Sequence, residues 1–257
     1  MWRFEEDITW SFKVRPTITI FSQNKALLIH AYTPSSVQIN NTIFIKNERK
    51  EDGLIVGMGG TLFAITETKF IENTVQSGIV ILEAAQLFDS RNLFEKNYGD
   101  ICNGYFVNSM MDFHVSESTF SQNTLKPTNY WRIPWRVPLA ASIWMIDSQG
   151  NMTRTIIKDN NLEGGFIHMK SSVLTLDSCK ITDNVAQGEV GLAFVSSSSF
   201  INFSNATISQ NQQFHDAFIN RMEFYPGMIV LSSSDLIIEN SKVLYNSIGN
   251  GSSFIAG

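Results

Sequence analysis

Cysteine is nearly absent from this 257-residue chain: Cys102 and Cys179 are the only two. Two thiols are too few for a four-cysteine metal centre, and neither a zinc-ligand spacing nor a glycine-rich phosphate loop occurs. Charge is also scarce, at 17% of residues, with a net charge of −5 and no long run of lysine or arginine. Nucleic-acid binding needs a basic patch, so nucleic acid is excluded as a partner on this reading. No apolar run reaches about 18 residues, so no transmembrane helix is expected within the sequence. The opening MWRFEEDITW has no apolar stretch of the kind that marks a signal peptide. Acidic residues are dispersed: no two aspartates adjoin, and Asp147, Asp159, Asp177 and Asp183 stand singly. Sugar hydrolysis works with a carboxylate pair across one bond, and calcium-assisted elimination with clustered carboxylates and a base. Neither set is visible. His215 and Asp216 adjoin, but no nucleophile is identifiable, and triads are set by geometry rather than adjacency. No catalytic residue, metal or cofactor is therefore expected.

What the sequence has in quantity is asparagine, 22 residues of it, and a repeat that ends on it. SVLTLDSCKITDN ends at Asn184, SFINFSNATISQN at Asn211 and SDLIIENSKVLYN at Asn246. Other copies end at Asn47, Asn73, Asn97, Asn123 and Asn160, and a partial one at Asn24. Three residues before each full-copy asparagine the side chain is apolar: Phe44, Phe70, Phe94, Phe120, Ile157, Ile181, Ile208 and Val243. Five before it stands a small or short residue, such as Thr42, Thr68, Ser118, Cys179 or Ser241. Eight and ten before it apolar residues recur, with Asp89 and Gly150 the exceptions. Apolar residues two apart alternate in and out, which is strand and not helix periodicity. The asparagine then belongs at a turn, where its amide bonds the backbone and tolerates a left-handed conformation. Stacked coil on coil, Asn47, Asn73, Asn97, Asn123, Asn160, Asn184, Asn211 and Asn246 would form an amide ladder. Nineteen residues before four of them lies Gly78, Gly104, Gly165 or Gly227, expected to permit the turn into the next strand.

Successive ladder asparagines are separated by 26, 24, 26, 37, 24, 27 and 35 residues. The shorter spacings exceed a hexapeptide β-helix coil, and periodicity and motif exclude TPR, ankyrin and leucine-rich repeats. The expected fold is all-β: a right-handed parallel β-helix, a three-sheet solenoid of about nine coils. It fills residues 1–257 as a single domain, with 1–16 an irregular first coil or cap.

The F-x-x-N copies read FSQN, FIKN, FIEN, FEKN and FSQN, while GGTLF at 59–63 and GGFI at 164–167 echo a glycine–glycine–aliphatic motif. Through these motifs, residues 17–257 resemble pectin-lyase-like right-handed parallel β-helices with F-x-x-N repeats. The similar families are the repeats of polymorphic outer membrane proteins and large protist surface proteins. The resemblance implies the β-helix fold and surface display or adhesion, at the cell surface or outside the cell. Without it, an intracellular assembly is the other setting. The chain departs from the bacterial pattern in that the glycine–glycine half is only echoed.

Because the glycine-to-asparagine frame is nearly constant, length variation falls in the connection after each asparagine. Two connections are long: 124–140, TLKPTNYWRIPWRVPLA, and 212–226, QQFHDAFINRMEFYP. They leave the same corner of the coil, three coils or about 14 Å apart. Function concentrates on loops held by a rigid scaffold. These loops carry Tyr130, Trp131, Arg132, Trp135, Arg136, His215, Arg221 and Tyr225, residue types that interfaces favour and whose flat rings stack on sugars. Three uses are open: the apolar loop residues fold back over a sheet, meet a protein partner, or hold a glycan. Asp159 and Asp183 each precede a ladder asparagine and are expected to stack, as a solvated pair or around calcium. The cysteines, about three coils apart, are expected to be free. Five glycosylation sequons, at Asn40, Asn151, Asn202, Asn205 and Asn250, are about as many as chance gives and do not decide the compartment. GSSFIAG begins a further coil, so the solenoid is expected to continue in a longer protein or to pack end-on against a partner. The function read from the sequence is a non-catalytic structural or interaction module. It is a rigid scaffold or adhesive segment that meets a protein partner through the inserts or open ends. The alternative is a carbohydrate-binding or polysaccharide-cleaving β-helix using the groove between the two inserts.

Overall fold

The computed structural model describes residues 11–13, 19–32, 34–50, 53–126, 141–187, 190–214, 227–248 and 253–256. All regular elements in them are strands, and each pairs in parallel with its counterpart one turn away. The chain is a parallel β-solenoid. Its third turn shows the plan: Val80–Glu83 in a first sheet, Gln86–Ser90 in a second, Leu93–Glu95 in a third and Tyr98–Gly99 in a fourth. The next turn lays Cys102–Asn108, Asp112–Ser116, Thr119–Ser121 and Thr124–Leu125 directly over them. Eight such complete turns run from Ile29–Ala31 to Ser247–Ile248 among the described residues, with partial turns at either side.

Eight complete turns with partial ones beside them stand close to the expected nine coils, and a fourth sheet joins the expected three among the described residues. Three sheets have nine strands, and the fourth has eight strands of two or three residues. The reason lies in the main chain after each asparagine. Thr74 N donates to Asn47 O, Tyr98 N to Asn73 O and Thr124 N to Asn97 O, each at 2.8 Å. Stacked asparagines therefore hold the next residues in register, and these pair as short strands.

The bends also differ from the sequence reading. The left-handed residue is the one before the asparagine: Lys46, Glu72, Lys96, Gln122, Asp159 and Asp183 have φ between 52° and 57°. The asparagine must aim its amide into the solenoid, so the residue before it makes the corner and sends a polar side chain outward. Left-handed backbone costs an L-residue about 1–2 kcal/mol, which the stacked hydrogen bonds must offset. Of the four glycines expected to make turns, only Gly78 and Gly165 have positive φ, 143° and 102°. Gly104 serves close approach instead: a Cβ there would lie 2.5 Å from Ser142 O on the next turn.

The core is a stack of like on like. Phe44, Phe70, Phe94 and Phe120 are fully buried, with successive ring centroids 4.9, 4.6 and 4.7 Å apart and planes within 19°. That spacing is the strand separation of a parallel sheet, about 4.8 Å, so the backbone register itself stacks the rings. Gly150 interrupts an apolar column because Phe113 has taken its space: a Cβ there would lie 2.3 Å from Phe113 O. Gly150→Ala is expected to destabilise the fold by about 1–3 kcal/mol through overpacking. An unchanged urea midpoint would show instead that the turn absorbs a methyl group.

Candidate functional site

The asparagines form one continuous interior ladder. Asn97 donates from its main-chain N and from Nδ2 to Asn123 Oδ1, at 2.9 and 3.1 Å, and Asn123 donates likewise to Asn160 Oδ1, at 3.0 and 3.0 Å. The second Nδ2 proton of Asn97 goes to Phe70 O, and that of Asn123 to Phe94 O, both at 2.9 Å. The same pattern links Asn24, Asn47, Asn73 and Asn97 on one side and Asn160, Asn184, Asn211 and Asn246 on the other. The ladder passes the positions of both inserts, from Asn123 to Asn160 and from Asn211 to Asn246, without a break.

Tyr130, Trp131, Arg132, Trp135, Arg136, His215, Arg221 and Tyr225 lie outside the described residues. The strands that receive the chain after each insert are described. Ala141–Ile146 pairs with Cys102–Asn108 across a register shift between Cys102 and Tyr105. Gly227–Ser232 pairs with Val190–Ser196 across a shift between Val190 and Ala193. Each insert therefore re-enters the first sheet beside a bulge, which lets the strand bend without breaking the ladder. Sequence reading missed both bulges, whose only trace is two strands of seven residues.

A depression of roughly 340 Å³ lies on the outer face of the second sheet, away from the corner that bears the inserts. Its lining includes Met111, Asp112, His114, Gln149, Asn151, Thr175 and Asp177, drawn from three successive turns. Strand alternation turns these side chains outward while Phe113, Val115 and Leu176 enter the core. His114 Nδ1 bonds Asn151 Oδ1 at 3.0 Å, and its Nε2 is 3.8 Å from Asp112 Oδ1. Gln86 Nε2 donates to Asp112 Oδ2 at 3.0 Å. The exposed Phe88 ring lies 5.1 Å from the His114 ring, and Met111 and Val173 are also exposed. Asp177 accepts from Asn205 Nδ2 at 2.9 Å and from Ser178 Oγ at 3.1 Å. The Asn205 bond leads in holding its carboxyl below the usual range. Asp112 opens its strand and Asp177 ends another two turns on, which separates them by about 16 Å from strand rise and spacing. A glycosidase pair stands about 5–9.5 Å apart, so these two carboxylates cannot act on one bond.

Several smaller expectations find their place. Asp159 and Asp183 are exposed at the bends before the ladder; Lys158 Nζ stands 3.9 Å from Asp159, and Thr182 Oγ1 donates to Asp183 at 2.6 Å. Cys102 and Cys179 are free and buried, and burial pushes their thiols up to about 12 and about 11. On the outside of the first sheet, Phe106, Trp144, His168 and Phe194 form an aromatic stripe. The His168 ring lies flat on Trp144, with centroids 4.8 Å apart and planes 6° apart. His168 is 4% exposed; burial first, and then Lys170, lowers its pKa to about 4.

No family model matches the sequence, and no curated protein matches it. Among solved structures, the catalytic domain of a GH87 alpha-1,3-glucanase in complex with tetrasaccharides is 8% identical, with a TM-score of 0.17. The match covers 88% of this chain and 60% of that one. A superposition that poor relates neither the folds nor the activities.

Proposed function

We propose that the chain is a non-catalytic interaction module, a rigid rod that displays the two inserts to a protein partner. The carrying observation is the amide ladder, which steps across both insert positions with its geometry unchanged. A frame that does not register an insertion is a scaffold on which loops can vary and bind. The insert residues Tyr130, Trp131, Arg132, Trp135, Arg136, His215, Arg221 and Tyr225 are the contact residues of this reading, by residue type. Replacing residues 127–140 by a short connection like the one at 185–190 tests it. The expected result is a thermal midpoint within a few degrees of the full chain. A collapse of stability would make the insert a cover for the sheet and overturn the display reading.

A second reading is favoured by the groove on the second sheet. The exposed ring of Phe88 borders the groove through its contact with His114, and with the planar polar groups of His114, Asn151 and Gln149 in the lining it suits the apolar face and hydroxyl edges of a sugar. This reading is of glycan binding on the second sheet and not of cleavage, because Asp112 and Asp177 stand too far apart to share one bond. On a glycan array, Phe88→Ala is expected to abolish any sugar signal while the shortened insert keeps it. No signal from the intact chain, or one indifferent to Phe88, would remove this reading.

A further inference from the structure

One ionisable side chain stands where the solenoid should be driest. Asp89 occupies an interior column otherwise filled by residues such as Ile39, Ile65, Val115, Met152, Leu176 and Phe203, and it is 2% exposed. Among the described residues no lysine or arginine is buried, and the one buried histidine, His168, faces out from the first sheet. The turns on either side present Ile65 and Val115. The first sheet presents Tyr105, the titratable group that touches Asp89, and Tyr105 is itself packed among Phe94, Phe113 and Phe120. Among the described residues, therefore, no cation balances a charge on Asp89.

The protons around Asp89 can be counted. Tyr105 Oη donates its single proton to Asp89 Oδ2. Asn92 Nδ2 has two, one for Asp89 Oδ2 and one for Ile65 O at 2.8 Å. Ser118 Oγ lies within hydrogen-bond reach of Asp89 Oδ1, receives the Asn92 amide at 3.0 Å, and is 3.1 Å from Ser116 O. Its one proton has two claimants. The rest of the column decides between them: Thr42, Thr68, Thr155 and Ser241 each donate their hydroxyl proton to the carbonyl two residues back, at 2.8–3.2 Å. If Ser118 does the same, only a proton on Asp89 can complete the bond between Asp89 Oδ1 and Ser118 Oγ. With Asp89 neutral, every donor and acceptor of the cluster is satisfied. With Asp89 ionised, the Ser118 proton must turn to Asp89 Oδ1, and Ser116 O keeps only the main-chain N–H of Arg91, at 2.9 Å.

We infer that Asp89 is a proton-binding site built into the core, a neutral acid whose O–H donates to Ser118 Oγ and ties the third turn to the fourth. Burial, the largest influence on this carboxyl, raises its pKa and agrees in direction. The site makes this junction of the solenoid responsive to pH: losing the proton leaves a buried charge with no cation beside it among the described residues and draws the Ser118 proton away from Ser116 O.

The test is a pH titration of the intact chain labelled with carbon-13 at aspartate carboxyls, with Asp89 assigned through bonds to its backbone. Asp89 is expected to bind its proton at least tenfold more tightly than an ordinary aspartate, a midpoint shifted up by one pH unit or more. Titration in the ordinary range would overturn the inference. Ser118→Ala distinguishes the direction of the bond. It is expected to lower the Asp89 midpoint, because the proton loses its acceptor; a raised midpoint would mean that Ser118 donates to a carboxylate, and the assignment would fail. Should Ser118→Ala not fold, Ser118→Cys, with a poorer acceptor, is expected to lower the midpoint, and a rise would count equally against it.

Discussion

Asn123→Ala is expected to lower the stability of the solenoid by about 4 kcal/mol. The substitution removes one side chain but strands several buried groups. Asn97 N and one Asn97 Nδ2 proton lose Asn123 Oδ1, and Phe94 O loses its Nδ2 donor. Each buried polar group left without a partner costs about 1–3 kcal/mol. Asn246 makes the same bonds to Asn211 but is only half-buried. Water can replace its amide there, and Asn246→Ala is expected to cost about 1 kcal/mol, near the net worth of one hydrogen bond. Urea unfolding of the two variants measures the difference. Equal losses would mean that burial does not set the strength of the ladder.

The second large effect concerns pH and involves two buried groups of opposite sign. Asp89 is raised from 3.8 to about 6. Below pH 3.8 both folded and unfolded chains hold its proton; as pH rises towards 6 only the folded chain does, and above that the full penalty of about 3 kcal/mol is present. Its contribution to stability therefore falls as pH rises. His168 is lowered from 6.5 to about 4. Above pH 6.5 it is neutral in both states; as pH falls towards 4 only the unfolded chain takes up the proton, and about 3 kcal/mol is lost. Within the overlap the folded chain holds Asp89 protonated and His168 neutral, so folding transfers a proton from imidazole to carboxyl with little net exchange. The intact chain is expected to show a nearly flat contribution from this pair between pH 7 and 4. Asp89→Asn should lose about 3 kcal/mol of stability on acidification over that range, while His168→Phe, which keeps the ring on Trp144, should gain about 3 kcal/mol. Exposed carboxylates act alike in all three proteins, so chemical denaturation at a series of pH values isolates the pair. Parallel profiles would refute the assignment of opposite signs.

Much of this architecture could be read from residue order, and the reason is the register. In a parallel solenoid each residue lies beside the one a turn later, so Phe44, Phe70, Phe94 and Phe120 recur at the spacing of Asn47, Asn73, Asn97 and Asn123. A column whose chemistry demands one residue type is legible. A column that tolerates several is not. Met110 N, Ser148 N and Ser172 N donate to Ser148, Ser172 and Ser199 Oγ at 3.0–3.1 Å, a serine ladder at a second corner. Serine suits exposed and buried bends alike, and Ala85 and Met110 break the column, so no pattern marks it. The groove escaped for a different reason. His114 and Asn151 meet across a separation of 37 residues that includes an insert, so they come together only once the insert is known to leave the frame in step.

The sequence by itself determined the all-β repeat, the period of the turn, the inward columns and which two connections are longer than the rest, because apolar alternation and the asparagine amide impose one pattern on every turn. The tertiary structure alone decided which residue takes the left-handed bend, that a fourth sheet follows the ladder, and that Asp89 meets Tyr105 and Ser118. Those outcomes depend on which side chains stacking brings together from residues 16 to 29 positions apart, and no local preference encodes that.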